Sequence, residues 1–197
     1  DGEYIMAGNE YGDIYLFDKD SSTPLWTKNL GTTVRSVAAS ADGEYFAVGY
    51  GKFSLFAKSS NTPLWTYTTG NDVVSVDISA DGEYIVVGSQ DKKVYLFDKD
   101  SSTPLWTYTT GEGIGRMRGV DISADGKYIA VGSGDDKVYF FDKDSSTPLW
   151  NYNTGDRVQS VSTSADGKYI IAGSRADNSV YAFKNSLADR PSIIPYG

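Results

Sequence analysis

The sequence predicts an all-β protein, a β-propeller of four-stranded antiparallel blades with about five blade equivalents. Three observations predict it. Asp-Gly-(Glu/Lys)-Tyr recurs at Asp1, Asp42, Asp81, Asp125 and Asp166, at spacings of 41, 39, 44 and 41 residues. Thr-Pro-Leu-Trp recurs at Thr23, Thr62, Thr103 and Thr147, which gives each of the first four repeats one tryptophan. Between these marks each repeat holds four short strand-like runs separated by turn residues, and no helical period or cap of any length. A sandwich does not require such repetition, and a β-solenoid repeats at shorter intervals.

The third copy shows the elements in order. Val73 to Ser79 places Val74, Val76 and Ile78 at period two, the pattern of a strand. Asp81-Gly82 supplies a tight hairpin turn. Tyr84 to Gly88 and Val94 to Phe97 are continuously apolar, as strands covered on both faces are, and the polar turn Ser89 to Lys92 joins them. After the polar loop Asp98 to Thr103, Pro104 opens a last run, Leu105 to Thr110, of aromatics and threonine. Proline at a strand start and exposed threonine suit an outer edge strand.

The segment from Val73 to Asp98 resembles a WD40 repeat, with Phe97-Asp98 where that family has Trp-Asp. The segment Val94 to Gly111 is similar to the repeat of pyrroloquinoline-quinone (PQQ)-type propellers. The resemblance implies that Trp26, Trp65, Trp106 and Trp150 dock each blade against the next. The Gly-His pair of WD40 repeats and the adjacent-cysteine disulfide of quinoprotein dehydrogenases are missing, because the chain has no His and no Cys.

Strand order divides residues 1–186 into a partial blade (1–31), three full blades (32–70, 71–111 and 112–155) and a partial blade (156–186). The full blades begin at Val34, Val73 and about Arg118. The first blade lacks its inner strand. Residues 187–197 are a tail, or a substitute outer strand through Ser192 to Tyr196. The resemblance implies rings of seven or eight blades, so the expectation is a fragment of a larger propeller with blades preceding Asp1. A closed five-bladed ring and an assembly of several chains are the alternatives.

Composition narrows the chemistry. Without His or Cys the chain cannot build Cys/His zinc sites, His- or Cys-ligated haem, iron–sulfur clusters, cysteine nucleophiles or Ser-His-Asp triads. Its formal charge of -8 repels nucleic acid and anionic membranes. No apolar run reaches the length of a membrane span, and no signal peptide is visible. Asp98 to Ser101, Asp18 to Ser21 and Asp142 to Ser145 alternate oxygen donors as a calcium loop does. They lack its turn glycine and bidentate glutamate, so they read as solvated turns. The recurring carboxylates read as turn residues rather than an acid–base pair, and the aromatics as blade packing rather than a quinone or sugar platform. No catalytic, metal or cofactor site is expected.

One segment breaks the repeat. Gly111 to Val120 is three residues longer than its counterpart Gly70 to Val76 and carries Arg116, Met117 and Arg118 among glycines. Insertions in a repeat array map to loops on the binding face. Arg35, Val74, Arg118 and Gln159 hold equivalent positions in successive blades and differ while their neighbours repeat. Arg35, Arg116, Met117, Arg118 and Gln159 are therefore the candidate partner-binding residues, with paired arginines suited to a carboxylate or phosphate; the other reading is a loop that has simply drifted. The expected function is a non-enzymatic scaffold or protein–protein interaction module. It would belong to a larger or cell-surface assembly, outside the cell rather than in the cytoplasm, with self-association through open blade faces. A quinoprotein-like dehydrogenase or related assembly factor is the alternative.

Overall fold

In the computed structural model, described for residues 2–111, 119–175, 179–185 and 192–193, the chain forms five antiparallel sheets in succession. The first has three strands: β1 (Tyr4–Gly8), β2 (Asp13–Asp18) and β3 (Trp26–Asn29). The second holds β4 (Ser36–Ala39), β5 (Tyr45–Gly49), β6 (Phe53–Ala57) and β7 (Trp65–Tyr67). The third holds β8 (Val73–Ile78), β9 (Tyr84–Ser89), β10 (Lys93–Asp98) and β11 (Trp106–Thr109). The fourth holds β12 (Val120–Ile122), β13 (Tyr128–Gly132), β14 (Lys137–Asp142) and β15 (Trp150–Asn153). The last holds β16 (Val158–Thr163), β17 (Tyr169–Ser174), β18 (Val180–Lys184) and β19 (Ser192–Ile193). Among the described residues the expected strands match these to within one or two residues, β4 included, which starts at Ser36 rather than Val34. In the last sheet Ser192 and Ile193 pair with Lys184 and Phe183, so the tail supplies the fourth strand.

The strand patterns explain the stacking. The middle strands β9, β10, β13 and β14 are buried on both faces, as their unbroken apolar runs require. Alternate residues of each sheet point to opposite neighbours, so the core is four slabs between sheets rather than one centre. The slab between the second and third sheets joins Ala47, Phe53 and Leu55 to Ile85, Val87, Tyr95 and Phe97. The slab between the fourth and fifth joins Tyr128, Ala130, Val138 and Phe140 to Ile170, Ala172 and Phe183. The inner strands β4, β8, β12 and β16 pack along one another in that order.

The Asp-Gly boxes do more than turn the chain. Gly43, Gly82 and Gly126 have φ of 69°, 74° and 70°, a region that disfavours any Cβ. Each also receives the tyrosine of the preceding blade: a Cβ would lie 2.6 Å from Tyr4, 2.7 Å from Tyr45 and 2.7 Å from Tyr84 respectively. Gly167 receives Tyr128 in the same way. Gly82→Ala is therefore expected to cost about 2–3 kcal/mol, combining left-handed strain with overpacking. Gly31→Ala, at φ +75° with open space around it, isolates the backbone share. Urea unfolding of both variants checks this; equal losses would remove the packing component.

Candidate functional site

The structure separates the residues that hold blades together from those left facing outward. The tryptophans belong to the first group. The indole N–H groups of Trp26, Trp65 and Trp106 donate to the carbonyls of Lys58, Lys99 and Lys143 in the following blade, at 2.8, 2.7 and 2.6 Å. Trp65 also lies 5.2 Å from Phe53 and 5.4 Å from Phe97, ring centre to ring centre. Trp150 packs on Phe140 and Phe183, but its buried indole N–H has no partner among the described residues. There the chain departs from the repeat at Asn185.

A second seam runs along the inner strands, whose outward N–H groups have no strand to pair with. Side chains of the preceding blade accept them. Ser36 Oγ accepts from Val76 N at 3.2 Å, and Ser75 Oγ from Val120 N at 3.3 Å. Asp77 Oδ2 accepts from Ile122 N at 2.9 Å. Asp121 Oδ2 accepts from both the N–H and the hydroxyl of Thr163, at 2.7 and 2.6 Å. The two carboxyl groups face each other across the seam. Burial, and then the like charge of Asp121, push the Asp77 pKa up to about 7, and burial raises that of Asp121. This pair was not among the sequence candidates; the signal was an aspartate inside the two Val-Asp-Ile-Ser strands, where the second blade has Ala38.

The candidate partner-binding residues are dispersed. Arg35 is exposed at the start of the inner strand and pairs with Asp72 of the next blade at 2.6 Å. Gln159 is exposed on β16, whereas the equivalent Val74 is buried. Arg116, Met117 and Arg118 lie outside the described residues. Arg35 also lines a cleft of 180 Å³ with Gly8, Val34, Ser36 and Val37, beside the first sheet, which has no inner strand. The Asp-Lys-Asp-Ser loops are closed on themselves: Asp18, Asp98 and Asp142 accept from the N–H two residues on, at 2.9, 2.9 and 3.0 Å. Among the described residues no three or more carboxylates are arranged so that they could hold a metal ion.

Both ends of the stack show a sheet face that is elsewhere covered. On the first sheet Ile5 is 53% exposed; on the last, Tyr169, Ile171 and Val180 are 46%, 49% and 60% exposed. A cavity of 540 Å³ beside Tyr169 is lined by Lys127, Lys168 and Lys184 with Asp125, Asp166, Tyr128 and Asn185. Lys127 and Lys168 stand where the first three boxes have Glu3, Glu44 and Glu83, so this end is locally basic.

A repeat-family model described as outer membrane protein assembly factor BamB matches residues 10–186. No curated protein matches. Among solved structures, a chain of a mitotic checkpoint complex superposes on 99% of this chain with a TM-score of 0.86 at 20% identity. At that identity the likeness shows the propeller fold alone, and this chain spans 63% of the length of that one.

Proposed function

Because the chain belongs to the PQQ-type repeat-propeller family of BamB, whose model covers residues 10–186, we propose that it is a non-enzymatic scaffold. In this reading it binds protein partners at the rim where the inner strands begin. The observation that carries this is the division of labour along the repeat. Trp, Tyr-Gly, Ser and Asp contacts recur from blade to blade and are spent on holding the frame, while the equivalent positions Arg35, Val74 and Gln159 vary, and Arg35 and Gln159 are exposed at the rim. Varied residues on a constant frame are where recognition is built. The family's description as an outer membrane protein assembly factor supports a place in an extracytoplasmic or cell-surface assembly. No helix among the described residues is long and apolar enough to cross a membrane. A quinone-dependent enzyme would draw on the tryptophans, and three of these are committed to the seams between blades.

Photo-crosslinking tests the rim. A photoreactive residue at Gln159 or Arg35 is expected to yield a discrete adduct in the native cell. The same residue at exposed Thr107 on the outer strand is expected to yield none. Adducts at Thr107 alone, or at no position, would overturn the rim assignment.

A further inference from the structure

Ahead of the outer strands β3, β7, β11 and β15 the chain runs through the same short loop, which ends in Thr23-Pro24, Thr62-Pro63, Thr103-Pro104 and Thr147-Pro148. The loop is closed by its own groups. The hydroxyls of Ser21, Ser60, Ser101 and Ser145 accept from the N–H of Thr23, Thr62, Thr103 and Thr147, at 3.1, 3.0, 3.0 and 3.0 Å. Several other threonine hydroxyls are committed to the frame: those of Thr33, Thr69 and Thr110 donate to backbone carbonyls, and that of Thr163 to Asp121. The hydroxyls of Thr23, Thr62, Thr103 and Thr147 have no hydrogen-bond partner among the described residues, and all four threonines are exposed.

Their surroundings recur too. A residue before proline is held extended, so each hydroxyl stands on a short extended segment that an enzyme's cleft can enclose. Just beyond the proline, Leu25, Leu64, Leu105 and Leu149 are 53%, 52%, 52% and 48% exposed, an apolar side chain left half in water in all four copies. A sugar has an apolar face of C–H groups beside its hydroxyls, and one attached at the neighbouring threonine would cover that leucine. A phosphate fits poorly, because it brings a charge of about −1.5 to −2. It would stand beside Asp18 and Asp20, Asp98 and Asp100, or Asp142 and Asp144, in a chain already at -8. The loops follow β2, β6, β10 and β14, at the end of the blades opposite the rim where the inner strands begin.

We propose that Thr23, Thr62, Thr103 and Thr147 are O-glycosylation sites, each taking a neutral sugar from an activated glycosyl phosphate donor. In the transfer the threonine Oγ1 forms a bond to the anomeric carbon of the sugar. The bond from that carbon to the donor's phosphate oxygen breaks, the phosphate leaves with the electron pair, and the hydroxyl proton passes to a base of the transferase. The sugars line one rim and leave the other, with Arg35 and Gln159, open to partners. This deepens the scaffold reading and rests on its extracytoplasmic placement.

Peptide mass spectrometry of the protein isolated from its native cells, with fragmentation that leaves O-linked sugars in place, is the test. Sugar is expected on all four threonines and none on Thr107, which is exposed within β11. Thr103→Val, expressed in the same cells, should lose the sugar from its own loop, keep the other three, and keep the melting temperature, because the hydroxyl it removes holds nothing. Four bare threonines, phosphate in place of sugar, or a sugar that stays in the loop of Thr103→Val would overturn the proposal. Bare threonines together with adducts at Gln159 would remove the sugars and leave the partner-binding rim standing; sugars without rim adducts would do the reverse.

Discussion

Trp65→Ala is expected to destabilise the chain by about 4 kcal/mol, the upper range for a large aromatic removed from a packed site. For a domain of this size that lowers the melting temperature by about 8–16 °C. The reason is the position of the ring. Trp65 belongs to one blade, yet it packs on Phe97 of the next and donates to the Lys99 carbonyl there. Its loss opens a cavity in the seam and removes the donor from a part-buried acceptor. Comparing Trp65→Phe with Trp150→Phe separates the two effects. The first removes a hydrogen bond and should cost about 1 kcal/mol beyond the change in packing. The second removes a buried N–H that has no partner among the described residues, so its cost should come from packing alone. Thermal and urea unfolding of the three variants read these values. Equal losses for the two Phe variants would remove the Lys99 bond as a stabilising contact.

The largest pH effect is expected at the Asp77–Asp121 pair. The folded state raises the Asp77 pKa from 3.8 to about 7, so it holds the proton more tightly than the unfolded chain does. The stability this gives is complete below about pH 4 and is lost as the pH climbs to about 7. At the surface, the hydrogen bond from Ser40 lowers the pKa of Asp42, and the bonds from Lys168 and Ser164 lower that of Asp166. Those contributions run the other way and fade as the pH falls. The melting temperature should therefore be highest in mildly acidic buffer and fall by several degrees or more toward pH 8. Asp77→Asn keeps an acceptor for the Ile122 N–H and offers Asp121 a donor that never titrates, so it should flatten the decline. A parent decline no steeper than that of the variant would show that the pair does not set the pH response.

The strands and their grouping were legible in the sequence because their causes are local: apolar runs, Asp-Gly turns and a period repeated along the chain. The inner strands of the second and fourth blades begin two residues later than expected, at Ser36 and Val120. The seams were less legible. Gly82 reads as a turn glycine whether or not Tyr45 lies against it, and nothing within one repeat distinguishes the two demands. Asp77 and Asp121 are 44 residues apart and resemble polar strand residues until stacking brings them together. Each contact of this kind joins one copy of the repeat to the next, so it can be seen only once the sheets are placed. Arg35 and Gln159 came out exposed at separate points of the rim, and the segment with Arg116, Met117 and Arg118 lies outside the described residues.

The tyrosine and the glycine that form each joint lie within three residues of each other in the same box, one facing forward and one facing back. A tandem duplication of any one segment would therefore encode a fitting joint on both of its flanks, with no compensating change elsewhere. Deletion of a whole segment would leave an equally sound splice. The number of blades is thus a quantity that recombination between near-identical segments can raise or lower in single steps, and the stretch from Asp98 to Gly111, repeated almost unchanged from Asp142 to Gly155, is a template for such exchange.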